Sequence, residues 1–299
     1  MPPLVKHAFD VDPDDHCETP PEAYDDISDA LRWLATTLGK PTAADLKIYD
    51  PYFCAGAVKR NLGSRGFPNV YNENEDFYAV AAAGKQPDYD VLVTNPPYSD
   101  NHIEKVLQFC VGSKKPWFLL VPNYVYVNPY YDPIMAAAEV KPFFVVPRYR
   151  YQYWAPGGVR SDREQKTSPF LSFWYCDLNS RSQPGLTAAF IKQRRLADAK
   201  QAEAKEGAAE AEAAAPTGKG KGKKGKKGKE KKEHPPALLA GHRSQLPHNM
   251  RAQYDPTRRR LVRTAPPPAP LRIGRHSNPS FYADSATWSV AAEETAGRG

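Results

Sequence analysis

Residues 90–98 read DVLVTNPPY, and the reading of this stretch decides the fold. A short apolar strand runs straight into Asn95-Pro96-Pro97-Tyr98. The two prolines fix the backbone and remove two N–H donors, so Asn95 and Tyr98 are held in set directions at a strand end. A side-chain amide beside exposed carbonyls, with a ring beyond, suits a flat substrate that bears an amino group. The amide oxygen and a turn carbonyl accept the two amino hydrogens, the nitrogen lone pair stays available for attack, and the ring stacks on the substrate's face. An ordinary strand end with a tight Pro-Pro turn has the same local sequence, so the surroundings must decide.

Outward from this stretch, strands alternate with helices. Residues 25–38 carry Ile27, Leu31, Leu34 and Leu38 at helical spacing, with acidic residues in the first turn. A strand follows at 46–53, a helix at 55–62, punctuation at Gly66-Phe67-Pro68, and a second strand at 69–73. After the 90–94 strand, Ile103, Val106, Leu107 and Cys110 share one face of a helix over 102–111. WFLLV at 117–121 and FFVV at 143–146 are continuous apolar runs of the kind found in buried, parallel strands. FLSFWYC at 170–176 reads as the seventh strand and closes the folded region. The expectation is an α/β, Rossmann-like, seven-stranded and mostly parallel sheet with helices on both faces. In such sheets ligands bind at the carboxyl ends of the strands, where both Asp50 and Asn95 fall.

The 299 residues suffice for one sizeable domain with extensions. Residues 1–15 read as an extended N-terminus, 16–196 as the folded domain and 197–299 as a basic, largely disordered tail. The tail contains an Ala/Glu/Lys-rich stretch at 197–215 with helical character. It also contains the low-complexity run GKGKGKKGKKGKEKK at 218–232, which has almost nothing to bury. That run is either an electrostatic arm for nucleic acid or a nuclear address, or else a solubilising linker. The net charge of +7 conceals an uneven distribution: residues 1–140 sum to −9, 141–196 to +7 and 197–299 to +9. A basic segment within an acidic folded region marks a face for an anionic partner. Four cysteines, Cys17, Cys54, Cys110 and Cys176, are spread singly, which argues against both a zinc site and a disulfide scaffold. No secretory signal or membrane span is readable, so the expected location is intracellular, nuclear or cytoplasmic, with no membrane and no metal.

Three further stretches surround the strand ends. IYDPYFCAG at 48–56 delivers Asp50 from a strand, turns at Pro51 and opens a helix through Cys54, Ala55 and Gly56. Its small residues permit close approach, and helix N–H groups there face a carboxylate or a ribose. VYNENED, at 70–76, supplies Glu73, Glu75 and Asp76 at the end of the next strand. A carboxylate there accepts both ribose hydroxyls. The register is open among the three, with Glu73 preferred; Asp76-Phe77 then lies over an adenine ring. HCETPPEAY at 16–24 places Thr19-Pro20 before a helix, where it can fold back over the same strand ends.

Together these motifs resemble the class I S-adenosylmethionine-dependent amino-methyltransferases, particularly the adenine-N6 branch, over roughly residues 16–176. NPPY resembles that family's catalytic motif, IYDPYFCAG its cofactor loop, and ETPPEAY its short N-terminal cofactor motif. The resemblance implies S-adenosyl-L-methionine as cofactor and catalytic roles for Asn95, Pro96, Pro97 and Tyr98. Asn95 and the Pro96 carbonyl hold the target amino group, and Tyr98 stacks on the base. Cofactor contacts follow for Thr19, Pro20, Asp50, Pro51 and Gly56, with the ribose taken by an acid at 73 or 75 and the adenine lying beside Asp76. The chain departs from the family in two places: Cys54 stands where the loop's first Gly is usual, and the interval from Gly56 to Asn95 is short.

The motif order puts target recognition after the catalytic motif. There, residues 148–168 interleave Arg148, Arg150, Arg160, Arg163 and Lys166 with Tyr149, Tyr151, Tyr153 and Trp154. Arginines reach phosphates while rings stack on unpaired bases, so DNA or RNA is the expected partner. The expected reaction is methyl transfer to an exocyclic amino group, with adenine N6 first. The alternatives are a protein glutamine-N5 methyltransferase and an inactive, nucleic-acid-binding relative. Cytosine N4 ranks lower, because that branch more often carries Ser in place of Asn95.

Overall fold

The structure, a computed structural model, describes residues 17–153, 171–179, 181–214, 236–251, 253–255 and 260–262. Seven strands form one sheet in the order β2-β1-β3-β4-β6-β5-β7. They are β1 (Ile48–Tyr49), β2 (Val70–Tyr71), β3 (Val91–Thr94), β4 (Trp117–Pro122), β5 (Phe143–Val146), β6 (Ser172–Asp177) and β7 (Leu238–Ala240). β1 pairs in parallel with β2 and β3, and β3 with β4; β6 lies antiparallel between β4 and β5, and β7 runs antiparallel along β5. Five strands, β1 to β5, therefore share one direction, as expected of a mostly parallel sheet.

The helices are α1 (Pro21–Thr37), α2 (Ala57–Gly63), α3 (Phe77–Ala82), α4 (His102–Ser113), α5 (Tyr131–Ala138) and α6 (Leu186–Ala214). Alternate residues of each strand feed two cores. Val91, Val93, Phe118 and Leu120 pack with α1, α2 and Phe190 of α6. Leu92, Trp117, Leu119 and Val121 pack with Phe77 of α3 and with α4 and α5. Burial on both faces is why these strands read as unbroken apolar runs. Trp174, fully buried, donates its indole N–H to the Ala23 carbonyl at 2.9 Å and so ties β6 to α1.

Three expectations change. α1 begins at Pro21, ahead of the apolar spacing, because proline at the first helical position presets φ and loses no bonded N–H. β1 spans only Ile48–Tyr49, and Pro51, without an N–H, follows it. The 172–177 strand is the sixth, and the seventh comes from the region read as tail. Leu238, Leu239 and Ala240 pair with Val146, Val145 and Phe144, and Leu246 and Met250 bury against the second core. A two-stranded ladder, β8 (Gln253–Asp255) with β9 (Arg260–Val262), follows. The 1–15 segment, the 218–232 run and residues 263–299 lie outside the described residues.

Candidate active site

The chain leaves β1 toward β2 on one side and returns to β3 on the other, which opens a crevice between the carboxyl ends of β1 and β3. Register puts Asp50 beyond Tyr49, Asn72 beyond Tyr71 and Asn95 beyond Thr94. All three residues line one cavity of about 20 Å³, with Glu18, Cys54 and Gly56. That volume holds about one water.

Asp50 is buried. Its Oδ1 accepts the Thr94 hydroxyl at 2.5 Å and the Tyr52 N–H at 3.2 Å. Burial pushes its carboxyl up to about 7, opposed by these two bonds and reinforced by the Glu18 charge. Asn72, 1% exposed, donates its amide to the Asp50 and Tyr52 carbonyls at 3.1 and 3.3 Å, which turns Oδ1 away as a pure acceptor. Among the described residues, Oδ1 of Asn72 and Oδ1 of Asn95 are buried without a hydrogen-bond partner. A buried orphan acceptor costs on the order of 1–3 kcal/mol, so a cavity with two of them is built to receive donors.

The Cys54–Ala57 turn carries the donors. Gly56 sits at φ 76°, the left-handed region that favours glycine, and a Cβ there would stand 3.3 Å from the Phe53 ring, which would have to give by a few tenths of an ångström. The Glu18 carboxylate crosses to this turn, where Oε1 accepts the N–H of Ala55 at 2.8 Å and that of Ala57 at 3.4 Å. Cys54 is half-buried. Burial, then the Glu18 charge, pushes its thiol far up, so it stays protonated.

The remaining sequence-designated residues divide clearly. Thr19 is buried and lines the cavity, Pro20 caps α1, and Pro51 and Pro96 are buried with Pro97 half-buried beside them. Tyr98 packs its ring on the second core and donates its hydroxyl to the Leu120 carbonyl at 3.1 Å. Glu73 pairs with Lys59 at 2.5 Å on the surface, Glu75 accepts the Tyr71 hydroxyl, and Asp76 caps α3 by accepting the Tyr78 N–H at 2.9 Å. None of these acids lines the cavity. Asn72 does, one residue earlier, held there by its amide bonds to the Asp50 and Tyr52 carbonyls.

The recognition element is also redrawn. Tyr151 and Tyr153 are 3% and 5% exposed and belong to the first core. Tyr151 donates to Asp26 at 2.6 Å, and the Tyr153 hydroxyl lies 2.5 Å from that of Ser172. They hold the fold and offer no stacking surface. Arg148, Tyr149 and Arg150 are exposed beyond β5, at the same end of the sheet as Asn95, with Tyr149 at 66%. Trp154, Arg160, Arg163 and Lys166 lie outside the described residues. Tyr151→Phe is expected to lower stability by about 1–2 kcal/mol and to leave binding of oligonucleotides unchanged, as read by denaturant unfolding and fluorescence anisotropy.

Asn72 and Glu18 escaped the sequence reading. An Asn between a Tyr and a Glu and a Glu beside Thr-Pro carry no spacing signal, and only the fold brings them together. Tyr52, Tyr78 and His102 form a second such group: the Tyr52 and Tyr78 hydroxyls lie 3.0 Å apart, and that of Tyr78 bonds His102 Nδ1. Among the described residues, no group of three His, Cys, Asp or Glu can hold a metal, and no helix is long and apolar enough to cross a membrane. No protein-family model matches the chain, and neither a curated protein nor a solved structure does.

Proposed function

We propose that the chain is an S-adenosylmethionine-dependent methyltransferase that transfers a methyl group to an exocyclic amino group of a nucleic-acid base, adenine N6 before others. The observation that carries this reading is the buried, partnerless Oδ1 of Asn95 at the β3 strand end, facing the cavity shared with Asp50 and Asn72. An amino group needs such an acceptor. The charge balance supports the cofactor: the wall offers the carboxylates of Glu18 and Asp50 and two amide oxygens, a set complementary to a cation rich in N–H and O–H donors. The cofactor supplies an activated sulfonium methyl, so the protein's contribution is positioning. Asn95 Oδ1 accepts one amino hydrogen and stabilises positive charge developing on that nitrogen. Asp50, held by Thr94 and Tyr52, and Asn72 hold the cofactor's donors. A target base in a duplex must leave its stack to reach Asn95.

The burial of Tyr151 and Tyr153 removes two rings from the nucleic-acid argument. That favours, as the second reading, a glutamine amide of a protein as acceptor, since the same turn serves any flat amide. The test is incubation of the purified chain with methyl-labelled cofactor and, separately, DNA, RNA and protein. N6-methyladenine in the nucleic acid supports the first reading, and N5-methylglutamine the second. Absence of label from all three overturns both.

A further inference from the structure

α6 is fastened along its inner face and open along its outer one. Phe190 is 3% exposed and packs against the rings of Trp33 and Phe143. At the border, Gln193 accepts the Trp33 indole N–H at 2.8 Å, Arg194 donates to Asp29 at 2.7 Å, and Arg195 donates to Gln245 at 3.3 Å. Outward, Ala189, Lys192, Gln193, Leu196, Ala197 and Lys200 recur at spacings of three and four residues, so they share one stripe. All six are exposed and line an open groove of about 420 Å³. Leu196, at 56%, is the most exposed leucine among the described residues. The small side chains of Ala189 and Ala197 let a second helix approach closely there.

The charges of α6 run against its own dipole. By sequence, residues 186–200 carry Lys192, Arg194, Arg195 and Lys200 against Asp198, a balance of +3. Residues 201–214 carry Lys205 against Glu203, Glu206, Glu210 and Glu212, a balance of −3. No acid stands in the first turn and no base in the last. The macrodipole favours the reverse order, with acids toward the N-terminus and bases toward the C-terminus. The stability of α6 alone therefore does not account for this order, and the compensating gain has to come from a partner. An anionic partner such as nucleic acid would match the basic half and be repelled by the acidic one. A second copy of the same helix, running the other way, matches both.

We propose that the outer face of α6 is a homodimer interface. Two copies of the chain pair through α6 about a two-fold axis, antiparallel, with Leu196 of each covered and each basic half against the other copy's acidic half. Such a contact is self-complementary and uses one patch twice. α6 has 29 residues, a length of about 43 Å at the usual rise, which gives the pair about eight turns along which to meet. The pairing does not depend on the reaction assigned to the cavity.

Sedimentation velocity on the full chain tests it. The wild type is expected to dimerise at micromolar concentration and to dissociate as salt rises, because exposed charges are screened. Leu196→Glu is expected to weaken the dimer about tenfold or more, with the far-ultraviolet circular dichroism unchanged. Lys192→Glu with Lys200→Glu reverses the basic half, and Glu206→Lys with Glu210→Lys reverses the acidic half. Each double variant alone is expected to be monomeric, and an equimolar mixture to form the mixed dimer, read by native mass spectrometry. A wild type that stays monomeric overturns the proposal. A dimer that survives Leu196→Glu places the interface elsewhere and overturns it as well. Two monomeric variants that fail to pair on mixing overturn the antiparallel arrangement. A monomeric wild type whose oligonucleotide binding, by fluorescence anisotropy, falls on reversal of the basic half makes this face a nucleic-acid contact instead.

Discussion

Asn95→Ala is expected to cut methyl transfer by about 10²–10³-fold while the protein stays folded. Asn95 leaves the end of β3 with its oxygen buried and no partner. That oxygen makes no hydrogen bond within the fold, and deleting an orphan acceptor relieves on the order of 1 kcal/mol of desolvation cost. Thermal unfolding should move slightly upward or not at all. A residue that is costly to stability and central to turnover is what a binding group looks like. The check is label incorporation beside a thermal melt of both proteins. Equal incorporation by the wild type and Asn95→Ala would sink the role given to this turn. A variant inactive only because it has unfolded would instead contradict the stability argument.

Asp50→Asn should make the protein more stable at neutral pH, and the size of the gain should depend on pH. Burial lifts the Asp50 carboxyl from 3.8 to about 7. Its folded-state value lies above the unfolded one, so its contribution is fully present below pH ~4 and is lost as pH rises toward 7. Above that window the charged form costs the fold about 4 kcal/mol, an order-of-magnitude figure for a fully buried group. Asparagine keeps an oxygen for the Thr94 hydroxyl and the Tyr52 N–H but cannot ionise. The difference in unfolding free energy between Asp50→Asn and the wild type should therefore grow from pH 4 to pH 7 and then level off. A flat difference across that range would show that the carboxyl is not held up in the fold. The same carboxyl links ligand binding to pH. A cation in the cavity favours the charged form, so its binding should release protons below pH 7 and strengthen as pH rises to that value. Asp50→Asn should abolish this dependence.

The sequence by itself determined the sheet's inner strands. Runs such as WFLLV and FFVV have no polar face, and only a strand covered on both sides buries them whole. It also determined which residues stand at the β1 and β3 strand ends, since Pro51 and Pro96-Pro97 cannot continue a ladder and leave Asp50 and Asn95 there. Tertiary structure decided what depends on side-chain direction and on partners far along the chain. Glu73 and Asn72 are adjacent in sequence, but a surface lysine takes one, and the Asp50 and Tyr52 carbonyls hold the other against the cavity. Tyr151 and Tyr153 look like stacking rings beside arginines until Asp26 and Ser172, remote in sequence, claim their hydroxyls. Leu238–Ala240 carries too few residues to announce a strand and becomes one because β5 offers an unpaired edge. Glu18 gained its place on the Cys54–Ala57 turn the same way, through two N–H groups that no local pattern in its own segment could reveal.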